Sequence, residues 1–559
     1  MSMDGEIWDL YAKILKKSGI SCVFGMVGEG EGLLEAASQC GGLEACTARD
    51  QRIAVGMAMG YAQISRGPAV YAASPGPGLV NGLVGVLEAY SASVPLIVIS
   101  SGTSREAKGT GAFQEFDSLP MMQAVTKWCY RLEHESKAIW ALQRAFHMAV
   151  NGRQGPVYLE IPHDLVKGPY SWELEAGALP LAPARVQPDT DTIGRLSGLL
   201  HESEKPVFIA GGGCNDKSTG ALFTRLAEHY GAAMFTTASG RGAVNEQHRQ
   251  AFGNVGLYTL PEARALLEEA DLFLVFGSQL EETALLGWEE AAAGRLLIHV
   301  DCDYSSLMRA VTGELPVLGD ASLTLQALLG AVPADRGQRS REKWLKRQQQ
   351  AKAALIRQWG QADYERSPVR STYLALTEFD ANGVILVQDN GLHDMWGYSY
   401  PIFTSAAGRT LVPGEQTALG LPMGAALGAK LASAEASVVT IIGDGSYAMG
   451  QGALITAAER RLGITFVIIN NQGYSWPRFQ QAKAGVEIGC EFVLGSELEP
   501  YVRSLGGYFA KPGNREELAA ALREAKQRNE HGSFALIEIE TGWDQDLPVT
   551  VLDQYGDFQ

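Results

Sequence analysis

Two short segments near the C-terminus carry residue types suited to a metal ion and a phosphate. Gly443-Asp444-Gly445-Ser446 sets a hard carboxylate oxygen between two glycines, and Asn470-Asn471-Gln472-Gly473 offers an amide oxygen and a glycine carbonyl. Asp444, Asn471 and the Gly473 carbonyl could form half of an octahedral oxygen shell for Mg2+, with two diphosphate oxygens and a water as the remainder. Gly443 and Gly445 let the backbone approach a phosphate closely, and a helix start offers unpaired N–H groups to an anion. A lone GDG is most simply a turn between strand and helix. This one is followed by a second oxygen-bearing segment 27 residues after Asp444, at the end of its own strand pattern.

Such segments need elements that bring strand ends together. VVTII leads into the first and TFVII into the second, with a helical pattern, AMGQGALITAAERRLG, between them. Two parallel strands joined by a helix deliver their C-terminal ends to one sheet edge, where doubly wound sheets bind ligands. The same rhythm fills the chain: SCVFGMVG (21–28), AVYAASPGPG (69–78), LIVISSG (96–102), PVYLEIPHD (156–164), KPVFIAGGG (205–213), DLFLVFGS (271–278), LLIHVDCD (296–303) and GVILVQDNG (383–391). Short apolar runs alternating with helices read as buried parallel strands in α/β layers. Two stretches break the rhythm. Residues 168–190 are proline-rich without a strand signal, and 334–365, around ADRGQRSREKWLKRQQQ, read as an exposed connecting helix. Three α/β domains with doubly wound parallel sheets are therefore expected, at 1–167, 190–333 and 366–545. The N-terminal pattern predicts a helix with Trp8, Tyr11, Ile14 and Leu15 on one face.

Composition narrows the partners. A net charge of −17 argues against nucleic acid and anionic membrane surfaces, while leaving room for a locally basic pocket. No signal-peptide core and no bilayer-length apolar run is read, so the cytoplasm is the expected location. Cys22, Cys40, Cys46, Cys129, Cys214, Cys302 and Cys490 show no metal-binding spacing and read as reduced core thiols.

The GDG…NN pair resembles the signature of the thiamine-diphosphate (ThDP) enzymes of the pyruvate oxidase, acetolactate synthase and decarboxylase superfamily, and the resemblance extends over nearly the whole chain. It implies ThDP and Mg2+ as cofactors, with Gly443, Gly445, Ser446 and Asn471 at the cofactor, and the domain order pyrimidine-binding, central, diphosphate-binding. It also implies a homodimer or homotetramer, with the cofactor between the first domain of one subunit and the last of another. Asn390-Gly391-Leu392-His393-Asp394-Met395-Trp396 resembles the GxHxMW stretch of acetolactate synthase large subunits, which implies Asn390, Gly391 and His393 at the diphosphate. Gly420-Leu421-Pro422 matches the next segment. Thr417 falls where the family has the hydrophobic wedge that bends the cofactor, a departure, with Leu419 close by. In the first domain SPGPGLVNG (74–82) resembles TSGPGATN, implying Gly76 and Asn81 as cofactor contacts. GAFQEF (111–116) with Thr126-Lys127 resembles AFQE…TK, implying Phe113 and Gln114 near the reactive carbon. By register, Glu29 stands where pyruvate decarboxylases carry an acidic residue. It is a candidate proton donor or acceptor, with a solvated loop glutamate as the alternative.

The most informative departure is Arg49-Asp50-Gln51, where the family reads R-H-E. Gly60-Tyr61-Ala62 fixes the register and sets Gln51 in place of the glutamate that hydrogen-bonds N1′ of the aminopyrimidine. A carboxamide hydrogen-bonds but cannot exchange a proton as a carboxyl can. Three explanations stand: an engineered Glu→Gln form, a natural variant like glyoxylate carboligase, or a one-residue shift that makes Asp50 the carboxylate.

The absence of a His-His pair counts against pyruvate or indolepyruvate decarboxylases, and the GAFQE and GxHxMW segments favour the acetolactate synthase-like branch. Tyr474-Ser475-Trp476-Pro477-Arg478-Phe479 departs from that branch and is expected at the substrate entrance. Arg478 is a candidate partner for a carboxylate, or a solvated arginine; Trp476 is a candidate pocket wall, or a core residue. The leading expectation is a 2-oxo acid decarboxylase/carboligase. The alternatives are a 2-hydroxyacyl-CoA or oxalyl-CoA type lyase, which would take an acyl-CoA, and a catalytically silent ThDP-binding scaffold subunit. The central domain's Gly211-Gly212-Gly213 is a weak nucleotide signal; FAD or ADP occurs there in some members, and neither is predicted.

Overall fold

The computed structural model describes residues 2–28, 32–173, 179–311, 315–332, 338–359, 364–379, 384–399, 408–486, 488–492 and 497–545. Three six-stranded sheets, each wholly parallel, carry helices on their faces. Strands such as Ala69–Ala73 and Leu272–Phe276 are buried at every position, which is why their sequences are continuous apolar runs without alternation.

Sheet topology locates the binding edges. Across the third sheet the strands run Thr410–Leu411, Ile385–Gln388, Val438–Gly443, Thr465–Asn470, Ala535–Glu540, Tyr508–Ala510. The first sheet, built on Cys22–Gly25, Glu44–Thr47 and the strands that follow, repeats this order. In both, the chain goes from the first strand to one side, then returns to build the other. The resulting switch points lie beyond Gln388 and Gly443 in the third sheet, and beyond Gly25 and Ala73 in the first. A crevice outside the strand ends at such a point is where doubly wound sheets bind ligands. In the central sheet, Ala251–Asn254, Ala233–Thr236, Pro206–Ala210, Leu272–Phe276, Leu296–Asp301 and Leu315–Leu318 lie in the dinucleotide-fold order.

The first and third domains of one chain share a single hydrophobic core, to which Ile53, Met57, Met423, Leu427 and Leu454 all belong. The helices Gln51–Ser65 and Leu421–Ala432 meet backbone to backbone. A Cβ on Gly60 would lie 2.0 Å from the Ala425 carbonyl oxygen, and one on Gly428 1.8 Å from that of Met57. Only glycine permits this approach.

Three expectations need correction. Within the proline-rich stretch, Tyr170–Glu173 pairs antiparallel with Ser2–Gly5 as a two-stranded ribbon. The basic segment does form a helix, Gln338–Trp359, but one face of it is buried through Arg341, Trp344, Gln348, Ala351, Lys352 and Leu355. Its polar members serve main-chain carbonyls in the interior: Arg341 donates to Leu200, His201 and Ser203, Gln348 to Gly231, and Lys352 to Glu246 and Ala251. Finally, Cys302 is exposed and not a core thiol, while Cys22, Cys46, Cys214 and Cys490 are buried; all seven are free. The N-terminal helix Ile7–Lys17 buries Trp8, Tyr11, Ile14 and Leu15 as expected.

Candidate active site

The edge of the third sheet gathers the metal-type residues. Val438–Gly443 delivers Asp444 to the first turn of a helix, and the neighbouring parallel strand Thr465–Asn470 delivers Asn471 beside it. Asp444 Oδ1 accepts the Gly445 N–H at 2.9 Å and Oδ2 accepts the Gly473 N–H at 3.1 Å. Burial outweighs these bonds and pushes the carboxyl up to about 6. Asn471 Oδ1 is buried with no hydrogen-bond partner among the described residues. A buried acceptor of this kind is costly unless something fills it. A carboxylate that burial disfavours, next to an unsatisfied amide oxygen, makes a hard-oxygen donor set that fits Mg2+. Gly445 is closed on its far side, where a Cβ would lie 2.4 Å from the Tyr474 ring.

The switch-point strand Ile385–Gln388 leads to Asp389, Asn390, Gly391 and His393. His393 is buried, its ring lies against Gly391, and a Cβ on Gly443 would be 3.7 Å from it. Burial pushes its pKa down to about 4, against an opposing hydrogen bond to the Ile441 backbone, so the ring is neutral. Its Nε2 has no partner among the described residues. The ring therefore stands ready for a ligand between the two glycine-bearing strand ends. Ser446, expected at the cofactor, has its hydroxyl turned inward: it accepts the Gly420 N–H at 2.7 Å and donates to Asp389 Oδ2. Asp389 is fully buried, held at about 6 by desolvation, and donates structure to this edge by gathering Ser446, the Asn390 N–H and the Gly420 N–H. The sequence reading missed it, although an acidic residue ending the VILVQ run was a visible signal. Thr417, expected at the wedge position, takes a left-handed φ of 47°, and Leu419 is half-buried nearby.

In the first domain Gln51 opens the helix Gln51–Ser65, and Asp50 caps it by accepting the Arg52 N–H at 2.8 Å. The Arg52 guanidinium also pairs with that carboxylate. Asp50 is thus engaged as the helix cap and paired with Arg52, while Gln51 stands in the first turn. Gln51 Oε1 accepts Asn81 Nδ2 at 3.4 Å, and its Nε2 lies 3.9 Å from where a Gly78 Cβ would be. Gly76, with φ 58°, touches the other loop: a Cβ there would sit 3.2 Å from the Gln114 carbonyl oxygen. Gln114 itself is left-handed, with its Oε1 buried and without a partner among the described residues. Phe113 beside it is 76% exposed. The Gly28 Cβ position is 3.0 Å from Ser74 Oγ, so both switch-point loops meet; Glu29 lies outside the described residues.

The entrance loop divides. Arg478 lines a cavity of about 810 Å3 with Asn471, Lys511, Glu540 and Trp543. Its guanidinium lies 4.5 Å from the Trp543 ring centroid and 3.9 Å from Glu491 Oε2. Trp476, a candidate pocket wall or core residue, is half-buried and stacks on Phe479 at 6.0 Å against the small apolar cluster of Leu257, Leu392 and Met395, beside His393. Its large apolar face is satisfied there.

Models of three thiamine pyrophosphate enzyme domains match the chain: the N-terminal TPP binding domain over residues 6–121, the central domain over 193–328 and the C-terminal TPP binding domain over 389–539. The chain belongs to the thiamine pyrophosphate-dependent enzymes, in their acetolactate synthase-like branch. A probable acetolactate synthase large subunit of Methanocaldococcus jannaschii is 28% identical, over 93% of this chain and 89% of the relative. The acetolactate synthase large subunit of Lactococcus lactis is also 28% identical, over 84% and 81%. The chloroplastic acetolactate synthase of Arabidopsis thaliana is 27% identical, over 93% and 78%. No helix among the described residues is long and apolar enough to cross a membrane.

Proposed function

We propose that this ThDP enzyme requires Mg2+, decarboxylates a 2-oxo acid and joins the remainder to an acceptor. The observation that carries the metal is the orphaned Asn471 Oδ1 beside the buried Asp444 carboxyl. Asp444, Asn471 and Gly473 would hold Mg2+, while Gly391, His393, Gly443 and Gly445 would receive the diphosphate. When bound, ThDP supplies a nucleophilic carbon and an electron sink for breaking or making the bond next to a carbonyl. Gln51 would hydrogen-bond N1′ without moving a proton there. Gln114 would turn its unpartnered oxygen toward the substrate, and Arg478 would pair with an anionic group in the cavity. Titrating the chain with ThDP in Mg2+ or in EDTA, then following CO2 release from a panel of 2-oxo acids, tests the reading. ThDP binding without release from any 2-oxo acid would sink it.

One observation favours a second reading. The cavity around Arg478 is larger than a small 2-oxo acid needs, and it sets Arg478 and Lys511 beside the Trp543 and Tyr364 rings, with Glu365, Glu491 and Glu540 also in its lining. That suits an acyl-CoA substrate, and activity found only with CoA thioesters would decide for the lyase.

The resemblance to the family supports a homodimer or homotetramer in the cytoplasm. The helices that would flank the cofactor already pair within one chain, and exchange of that contact between two copies would build the same site in a dimer. Mixing Asp444→Ala chains with Gln114→Ala chains should then restore activity in a fraction of sites; inert mixtures would assign both halves to one chain.

A further inference from the structure

We propose that Glu88 is a positioning residue: it reaches from the first domain to hold the loop that carries Thr417 and Leu419 in the shape the cofactor needs. The inference rests on the reading of those two residues as cofactor contacts.

Glu88 lies on the helix Pro77–Ser91, whose first turns carry Gly78 and Asn81 at Gln51. It is 3% exposed, an unusual position for a carboxylate, and has no cationic partner among the described residues. Its two oxygens are used on one loop of the third domain: Oε1 accepts the Gly414 N–H and Oε2 the Ala418 N–H at 2.9 Å. Between these anchors the Thr417 N–H donates to the Gly414 carbonyl at 3.0 Å, closing a turn. Gly414 is pressed so closely onto the same helix that a Cβ would lie 2.8 Å from Ser91 Oγ.

The turn costs free energy. Thr417 is β-branched and sits at φ 47°, where such residues are rarely found unless their surroundings impose it. A carboxylate can accept two N–H groups at once, one on each side of the strained residue. The far end of the loop is fixed independently, by Ser446 at the Gly420 N–H. Glu88 therefore clamps the loop at Gly414 and Ala418, where Glu415 also accepts the Thr283 hydroxyl of the central domain, and it does so from the helix that also presents Asn81 to Gln51. The geometry of the diphosphate domain near the expected wedge is set by the pyrimidine domain.

Glu88→Gln keeps the size of the side chain but replaces one acceptor by an NH2 group, which faces an N–H with no acceptor. Two measurements follow the loop and the ligand separately. Amide hydrogen exchange on the ThDP-free protein should rise about tenfold or more over residues 412–420 in the variant, with the sheet strands of both domains unchanged. Calorimetry with ThDP and Mg2+ should show affinity weakened about tenfold. Adding Thr417→Asn, which tolerates the left-handed region better, should recover loop protection in the double variant. Unchanged loop exchange in Glu88→Gln would overturn the proposal, as would faster exchange spread through the strands, or a loosened loop that binds ThDP as before. Failure of the wild-type protein to bind ThDP would instead overturn the functional reading, and the exchange data would still decide the clamp.

Discussion

Gln51 Oε1 accepts a hydrogen bond from Asn81 Nδ2 at 3.4 Å, so a carboxamide pairs with a carboxamide at the position proposed to face N1′ of the cofactor. Asp50, the only acidic neighbour in sequence, is bound to the Arg52 N–H and guanidinium. Gln51→Glu should therefore speed C2–H/D exchange of bound ThDP by orders of magnitude, read by proton NMR of acid-quenched cofactor. Asp50→Ala should leave that exchange alone and lower stability by about 1 kcal/mol, the usual cost of losing a helix cap. Exchange abolished in Asp50→Ala would return the catalytic carboxylate to Asp50.

Asp389 predicts a pH dependence of stability. Its folded-state pKa is raised to about 6 by burial, against about 3.9 for an unfolded aspartate. The native state binds the extra proton, so the stabilisation is full below about pH 4 and is lost as pH rises through 6. The loss amounts to about 3 kcal/mol. Denaturant unfolding of Asp389→Asn should show that portion of the pH dependence removed, and curves of identical pH dependence would contradict the assignment.

Arg341 supports the central domain from the connecting helix. Its guanidinium serves the carbonyls of Leu200, His201 and Ser203 while only 2% exposed. Arg341→Ala strands buried acceptors and should destabilise the protein by about 3 kcal/mol. Arg341→Lys should recover only part, because an ammonium lacks the planar fork. A thermal midpoint unchanged in Arg341→Ala would show that the helix does not carry the domain.

Much of this was legible in the chain. Continuous apolar runs such as AVYAA and LFLVF, short and alternating with helical patterns, read as strands covered on both faces, so the parallel sheets followed from them. Asp444 and Asn471 were legible because strand, helix and strand must bring both to one edge. The connecting helix misled because its buried stripe includes Arg341, Gln348 and Lys352, and polarity reads as solvation until the carbonyls those groups serve are visible. Trp476 was ambiguous for the same reason: a large ring lines whichever apolar surface is nearest, and that surface is formed by Leu257, Leu392 and Met395 from distant segments. Glu88 serves the Gly414 and Ala418 N–H groups, and Asp389 the Gly420 N–H and the Ser446 hydroxyl; these partners are far away in sequence, so no local spacing identifies what either carboxylate holds.

In the proposed site Asp444 and Asn471 hold a metal that in turn holds ThDP. Calorimetric titration of ThDP into wild type, Asp444→Ala and Asn471→Ala, each with Mg2+ and with EDTA, tests it most directly. Asp444 is the only full charge among the three proposed ligands, so its loss should abolish Mg2+-dependent binding, and loss of the Asn471 oxygen should weaken it at least tenfold, or about 1.4 kcal/mol. Wild type should bind tightly only with Mg2+. Equal ThDP affinity in wild type and Asp444→Ala, with or without Mg2+, would contradict the site.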